Sequence, residues 1–387
     1  MRRLLRPALV VALIAVVTRV DPVLGLVVLL AGWAWASWWL PPRALDGVSG
    51  QRTVAETAMF GEDLDVEIRI TGTRAVPWLH VTDTVPFDLG HNTRWVTTLA
   101  AGEARTHTMR LVAAARGLHR IGPAVAATGD AFGLRRVQRT MIPASMVLVY
   151  PRIVSIETLT LAAGAPLPLI PTRTPLADDP TRIVGVREYQ PGDPFRAIHW
   201  TASAASGDLL VKKHRPAITR DVTLAVDLTR DSHPSPGRRR SAELAITAAA
   251  SVARHLVTFR REAVGLRIVG RDTPTGEHMV GEVTPGRDES RLVGMLESLA
   301  RADLSRTADG DALLDPSGLS FGASVVLLTG VLRRRHVLDV MRLKRIGVAV
   351  TVIVTANDQH RGEWETELGD LQVPVRSLAR LAEMVDL

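Results

Sequence analysis

Cysteine is absent from the 387 residues, which excludes disulfides, thiol nucleophiles and Cys-ligated zinc together. Lysine is nearly absent: Lys212, Lys213 and Lys344 are the whole complement among 47 Lys and Arg residues. The net charge of +7 is therefore arginine charge spread along the chain, and it reads as composition rather than a binding patch. Aromatics make up 4% and are scarce beyond the first forty positions. Nucleic-acid binders interleave clustered basic residues with aromatic stacking platforms, so nucleic acid is not an expected partner. Neither a phosphate loop nor Gly-x-Gly-x-x-Gly follows a predicted strand, which removes the sequence basis for nucleotide binding. His80, His91, His107 and His119 fall on different predicted strands or loops without metal-ligand spacing.

Long apolar runs, by contrast, are present at the N-terminus. Leu4 to Val20 is apolar except for Arg6 and Arg19 near its ends, and Val23 to Leu40 is apolar throughout. Each approaches the roughly 17 to 25 residues of a spanning helix. Trp33, Trp35, Trp38 and Trp39 crowd the end of the second run, where an aromatic belt would meet headgroups before Pro41-Pro42 stops the helix. Arg2, Arg3 and Arg6 before the first run and Arg43 after the second place both ends in the cytoplasm by the positive-inside rule. A cleaved signal peptide would need a small-residue site, and none separates Val17 from Asp21. The expectation is a two-span membrane hairpin over 1–43, with the bulk of the chain cytoplasmic.

Residues 55–152 read as a β-rich, sandwich-like domain. Leu64, Val66, Ile68 and Ile70 alternate with Asp65, Glu67 and Arg69, and further runs follow at 77–82, 94–99, 106–112, 125–128 and 146–150, separated by Gly, Pro and Asp turns. A Pro-rich linker, 153–182, leads to a motif region at 183–216. Over 217–387 apolar runs at 222–227, 264–269, 324–329, 348–354 and 373–377 alternate with helical stretches at 241–260, 288–302, 336–346 and 377–385. That alternation predicts an α/β domain with a parallel sheet and crossover helices.

The densest chemistry lies in Glu188-Tyr189-Gln190-Pro191-Gly192-Asp193-Pro194-Phe195-Arg196-Ala197-Ile198-His199-Trp200. Pro191 and Gly192 fit the two central positions of a type II turn. Asp193-Pro194 reads as the N-cap and first residue of a short helix carrying Phe195 to Trp200. Glu188, Asp193 and His199 are residue types for acid-base work, but the motif supplies no nucleophile and the spacing does not force the three together. Pairing of Glu188 or Asp193 with Arg187 or Arg196 is the expected structural role, with the remaining exposed residues free to meet a partner. The stretch is expected to clamp the β-rich region onto the α/β domain.

The order of parts resembles the bacterial family known as domain of unknown function 58. The resemblance rests on Gly185-Val186-Arg187-Glu188-Tyr189-Gln190-Pro191-Gly192-Asp193, then Arg196, Ile198-His199-Trp200, Ser203-Ala204, Gly207 and Leu210-Val211-Lys212. It implies a von Willebrand factor A-like C-terminal domain with a Rossmann-like sheet. It also implies action beside a MoxR-type AAA+ ATPase in assembling or remodelling protein clients, at the lipid bilayer of the bacterial inner membrane; with no nucleophile in the motif, the expectation is a non-enzymatic interaction or adaptor role with no catalytic residues. Arg187, Glu188, Tyr189, Pro191, Gly192, Asp193, Arg196, His199 and Trp200 form the interaction motif on this reading. Metal-binding domains of that class carry Asp-x-Ser-x-Ser after the first strand, a carboxylate and two hydroxyls for Mg²⁺. Here the string is Asp227-Leu228-Thr229-Arg230-Asp231, so Asp227, Thr229 and Asp231 make a degenerate Mg²⁺ set and no cofactor is expected. The alternatives are a metal-dependent ligand-binding module and a hydrolase built on Glu188, Asp193 and His199.

Overall fold

The computed structural model describes residues 21–130, 135–161, 178–190, 193, 195–216, 221–306, 313–317, 319, 322–356 and 361–385. The first apolar run, Leu4 to Val20, lies outside the described residues, as do most of the Pro-rich linker, Pro191 and Gly192. The fold is mixed α/β with several sheets. It divides into two compact units, Met1–Arg152 and Ile153–Leu387.

The first unit begins with helix α1, Asp21–Asp46. Its stretch Leu24–Asp46 reaches a mean hydropathy of 1.4 over 18 residues and is long and apolar enough to cross a membrane, the one such helix among the described residues. At 1.5 Å per residue its 23 residues reach about 34 Å, more than a hydrocarbon core. Pro41 and Pro42 do not end the helix as the sequence predicts; both lie inside it. A proline withholds one amide hydrogen and so frees the carbonyl four residues earlier. The carbonyl that Pro42 releases, that of Trp38, accepts instead from Arg135 Nη1 at 2.6 Å.

Ten strands follow: β1 Val48–Thr53, β2 Thr57–Ala58, β3 Asp63–Gly72, β4 Val76–Asp83, β5 Thr93–Leu99, β6 Ala104–Val112, β7 Gly117–Ile121, β8 Ala124–Gly129, β9 Arg136–Ile142 and β10 Ser145–Val149. They form three sheets, ordered β1-β3-β6, β2-β10-β7 and β5-β4-β8-β9. The alternation predicted for β3 is realised: Leu64, Val66, Ile68, Ile70 and Gly72 are buried and their neighbours exposed. All ten strands contribute to one core that includes Val66, Ile68, Leu79, Leu99, Ile121 and Val147. Beside it an arginine is fully enclosed. Arg52 pairs with Asp83, both side chains having no solvent exposure. Its Nη1 also donates to the carbonyls of Ile121 and Pro143, each at 3.0 Å. Burial pushes the Asp83 carboxyl up and Arg52 opposes that rise. Gly122 has φ +96° and a Cβ there would meet Arg52 Nη1 at 2.7 Å, so a side chain is excluded twice over.

In the second unit β11, Asp178–Glu188, pairs antiparallel with β12, Leu210–Pro216. A seven-stranded sheet is then built from β13 Val222–Asp227, β14 Val264–Asp272, β15 His278–Gly286, β16 Ala302–Asp303, β17 Ser324–Thr329, β18 Ala349–Val354 and β19 Val375–Ser377. Its order is β15-β14-β13-β17-β18-β19, with β16 paired to β14. The neighbours from β14 to β19 run parallel, whereas β15 and β16 are antiparallel to β14. The helices are α2 Trp200–Ser206, α3 Arg238–Arg254, α4 Glu289–Arg301, α5 Arg334–Arg345 and α6 Arg361–Asp370. Ala225, Val325, Leu327, Val350 and Val352 join Val337, Val340 and Leu343 of α5 in one core on one sheet face. The alternate residues, Leu224, Val226, Val326 and Leu328, are buried on the other face.

The helix predicted over Ser377 to Val385 is replaced by the end of β19 and a single 3-10 turn, Leu381–Met384. The sequence does not predict strand β15, because Gly281, Pro285 and Gly286 dilute its apolar alternation.

Replacing Arg52 alone by Leu is expected to destabilise the first unit by about 3–5 kcal/mol, because Asp83 would remain as an uncompensated buried carboxylate. Denaturant titration of the solubilised chain checks this, and Arg52→Leu/Asp83→Leu should recover part of the loss.

Candidate functional site

Strand β13 has β14 on one side and β17 on the other, so the order reverses beside it. In an open α/β sheet the crevice beyond the carboxyl ends of such strands is the usual ligand position. Asp227, the last residue of β13, stands there fully buried.

A buried carboxylate needs donors, and Asp227 has them from two directions. The turn that follows the strand bends back onto it: Thr229 N donates to Oδ1 at 2.8 Å and Ser232 Oγ to Oδ2 at 2.6 Å. From the start of α5, Arg335 Nη2 and His336 Nε2 each reach Oδ2 at 2.8 Å. Arg335 Nη2 also lies 2.6 Å from Thr229 Oγ1 and 2.8 Å from Ser232 Oγ. One guanidinium nitrogen thus sits among a carboxylate and two hydroxyls, the donor set a hard divalent cation would use. Burial raises the Asp227 carboxyl, but His336, Ser232 and Arg335 more than offset it and hold the group well below the usual carboxylate range.

The residue beside Asp227 and Thr229 is Ser232, not Asp231. A 3-10 turn over Arg230–Ser232 carries the chain one position further than the Asp-x-Ser-x-Ser spacing assumes. Asp231 is exposed, and its carbonyl accepts from Arg333 Nε at 2.8 Å. The metal-ligand set Asp227, Thr229 and Asp231 is corrected accordingly. Among the described residues no group of three or more His, Cys, Asp or Glu side chains could hold a metal ion.

Behind the carboxylate lies a second polar layer. His233 Nε2 donates to the Asp227 carbonyl and its Nδ1 accepts from Ser241 Oγ, both at 2.8 Å. Ser241 stands 3.0 Å from Thr355 Oγ1, whose hydroxyl also reaches the Ser241 carbonyl at 2.8 Å. Burial pushes the His233 imidazole down and keeps it neutral. Gly330 closes the layer: a Cβ there would collide with the Ser232 carbonyl and approach His233 Nδ1 to 2.6 Å.

The motif after β11 is assembled differently. Asp193 grips Arg187 with both oxygens, Oδ2 to Nη1 at 2.6 Å and Oδ1 to Nη2 at 2.7 Å, and accepts from Gln190 N at 2.9 Å. The main cause of its lowered carboxyl, down to about 2, is the Arg187 bond. Asp193 therefore closes the turn behind it and does not cap a helix ahead. The predicted helix is instead a 3-10 turn, Phe195–Ala197, followed by α2. His199 takes the capping role, its Nδ1 accepting from Ala202 N at 3.2 Å. Ser203 Oγ donates to the His199 carbonyl at 3.1 Å and accepts from Leu210 N at 2.9 Å, which pins α2 to β12. Among the described residues no hydrogen bond joins Glu188, Asp193 and His199. Glu188 is exposed, and its carbonyl accepts from Arg187 Nη1 at 3.1 Å. The Arg196 side chain lies outside what the structure describes. Phe195 and Trp200 are 73% and 66% exposed, and Tyr189 stacks on Phe195 with ring centroids 6.3 Å apart.

A profile described as Protein of unknown function DUF58 matches residues 185–363, from the end of β11 into α6, and supports that family for this part of the chain. No curated protein matches. Among solved structures, the CARDB domain of the PF1109 protein from Pyrococcus furiosus is 15% identical, over 26% of this chain and 91% of that one, with a TM-score of 0.21. A beta-glucosidase from Listeria innocua is 18% identical over 26% and 16%, with a TM-score of 0.17. The sulfur carrier protein SoxY from Chlorobium limicola f thiosulfatophilum is 15% identical over 26% and 78%, also at 0.17.

The sign of the His233 shift fixes a pH dependence. An imidazole whose folded pKa is lowered is protonated first in the unfolded chain, so stability falls as pH drops below about 6.5. His255 is shifted the same way. Melting of the solubilised chain should therefore move down between pH 7 and pH 5, and His233→Gln should reduce that slope.

Proposed function

We propose that this chain is a non-enzymatic membrane-anchored adaptor. Its C-terminal unit is von Willebrand factor A-like and its first unit β-sandwich-like, and it acts with a MoxR-type AAA+ ATPase in assembling or remodelling client proteins. A two-span hairpin holds it in the bacterial inner membrane with the bulk of the chain in the cytoplasm. The observation that carries the interaction reading is the exposure of Phe195 and Trp200 on an element fixed by the Arg187–Asp193 pair and by Ser203. Large aromatics held in fixed positions at the surface are the commonest energetic anchors of protein interfaces. In a chain with so few aromatics, two on one short element favour a contact surface. Asp193 is engaged in pairing and His199 in capping, which supports binding over catalysis.

The Asp227 site supports the same reading. Its cation position is filled by Arg335 from within the chain, which supports a sheet end that stays assembled without Mg²⁺.

Phe195→Ala/Trp200→Ala is expected to keep the wild-type melting midpoint and weaken association with the MoxR-type ATPase by at least tenfold, since interface anchors contribute about 2 kcal/mol or more each. Surface plasmon resonance with the solubilised chain measures it. Unchanged binding would move the contact elsewhere.

Melts in Mg²⁺, Mn²⁺ and chelator should coincide, because an ion that binds the native state raises its stability and Arg335 already holds the position. A saturable rise that Asp227→Ala abolishes would mean that metal displaces Arg335, and would favour the metal-dependent alternative.

A further inference from the structure

Within the first unit, a cavity of about 610 Å³ opens where α1 meets the ends of β4 and β8. Trp33, Trp39 and Trp78 form much of its wall, with Pro77 between; Arg43 and Arg74 line it as well, as does Asp130, whose carboxylate accepts from Arg135 N at 2.6 Å and Ser37 Oγ at 3.4 Å. Both arginines are exposed, and neither has a carboxylate partner among the described residues. Arg43 lies with its guanidinium carbon 3.8 Å from the centre of the Trp39 ring, and its carbonyl accepts from Arg74 Nη1 at 3.2 Å. The Arg74 guanidinium is thus tied to the backbone of Arg43 at the cavity. A little further along the helix Arg135 is held to the Trp38 carbonyl.

Trp78 supplies an independent sign. It has φ +57°, a conformation that costs a bulky L-residue about 1–2 kcal/mol, and yet 52% of it faces solvent. The strand register shifts between Val76 and Leu79, so this indole is turned out of the β4 ladder and onto the cavity. Neither core packing nor strand pairing accounts for the cost.

We propose that this cavity binds one anionic phospholipid. Arg43 and Arg74 would take the phosphodiester, and the upper acyl chain would lie along Trp33, Pro77 and Trp78. The commitment to a lipid rests on charge complementarity and on continuity with α1, the helix apolar enough to span a bilayer. Indole rings belong at headgroup depth, and arginine pairs with phosphate in two-point geometry. The anionic leaflet is the cytoplasmic one, so the inference rests on the membrane-anchored reading.

The test uses the full chain, extracted in mild detergent and reconstituted in nanodiscs of phosphatidylcholine with or without phosphatidylglycerol. Retained lipid is read by native mass spectrometry and insertion by carbonate extraction. The expected result is a roughly tenfold preference for phosphatidylglycerol, lost in Arg43→Gln/Arg74→Gln. Trp78→Gly should also lose it while keeping the melting midpoint, because glycine relieves the backbone. An inserted chain without that preference overturns the site and leaves the anchor standing. A chain washed off by carbonate overturns the anchor reading and the lipid proposal with it. Displacement of the lipid by millimolar inorganic phosphate would show a soluble-anion site, and wild-type retention in Trp78→Gly would remove the aromatic wall from the account.

Discussion

The constraint on which the second unit turns is the enclosure of one carboxylate. Asp227 is fully buried at the end of the central strand, and an ionised group there is tolerable only if positive charge and hydrogen bonds surround it. The chain supplies both from distant segments: the turn at Thr229–Ser232, and Arg335 and His336, more than a hundred positions later. Each contact fixes an element. The turn is drawn over the strand end, α5 is anchored by its first residues, and His233 ties the Asp227 backbone to α3 through Ser241. The polar network therefore sets the position of the helices around the switch point, while the apolar face of α5 supplies the burial that holds them there.

That arrangement explains a feature that looks unfavourable by itself. Helix α5 opens with Arg334, Arg335 and His336, cationic residue types at the end where the helix dipole is positive. Arg335 is repaid by a fully buried carboxylate, at closer range than the dipole acts. Such a run is also the one sequence signal that could have located the site: cations at a helix start imply an anion facing them. The helix predicted over 336–346 begins one residue too late to include Arg335, and the two-residue Asp-x-Ser-x-Ser spacing passes over Ser232, which the 3-10 turn brings in instead.

Elsewhere the sequence is legible in proportion to how local the cause is. Strands β3, β13, β17 and β18 are set by side-chain alternation or continuous apolar runs, and their residues are buried as that pattern requires. Strand β1 is Val48-Ser49-Gly50-Gln51-Arg52-Thr53, polar in composition, and exists because β3 offers it an antiparallel partner. The sequence leaves Glu188 or Asp193 to pair with Arg187 or Arg196 and makes Asp193 a cap, whereas the structure pairs Asp193 with Arg187 and leaves the cap to His199. Pairing and capping by Asp193 need the same oxygens, and the fork-to-fork pair together with the Gln190 amide occupies them.

The arginine bias of the composition acquires physical content at these positions. Arg52 serves an acid and two carbonyls from inside the first unit, and Arg301 clasps Asp272 through Nε and Nη2, each at 2.9 Å. Arg187 does the same to Asp193, and Arg335 gathers three oxygens with one nitrogen. A lysine ammonium is a strongly hydrated point charge and could not present two parallel donors or stack its plane on Trp39 as Arg43 does. The guanidinium is also weakly hydrated and always charged, so it can be enclosed without neutralising itself. A fold that places carboxylates under cover with no cysteine and, among the described residues, no group of three or more His, Asp or Glu side chains to hold a metal must neutralise them with its own side chains. Arginine is the side chain whose geometry allows that.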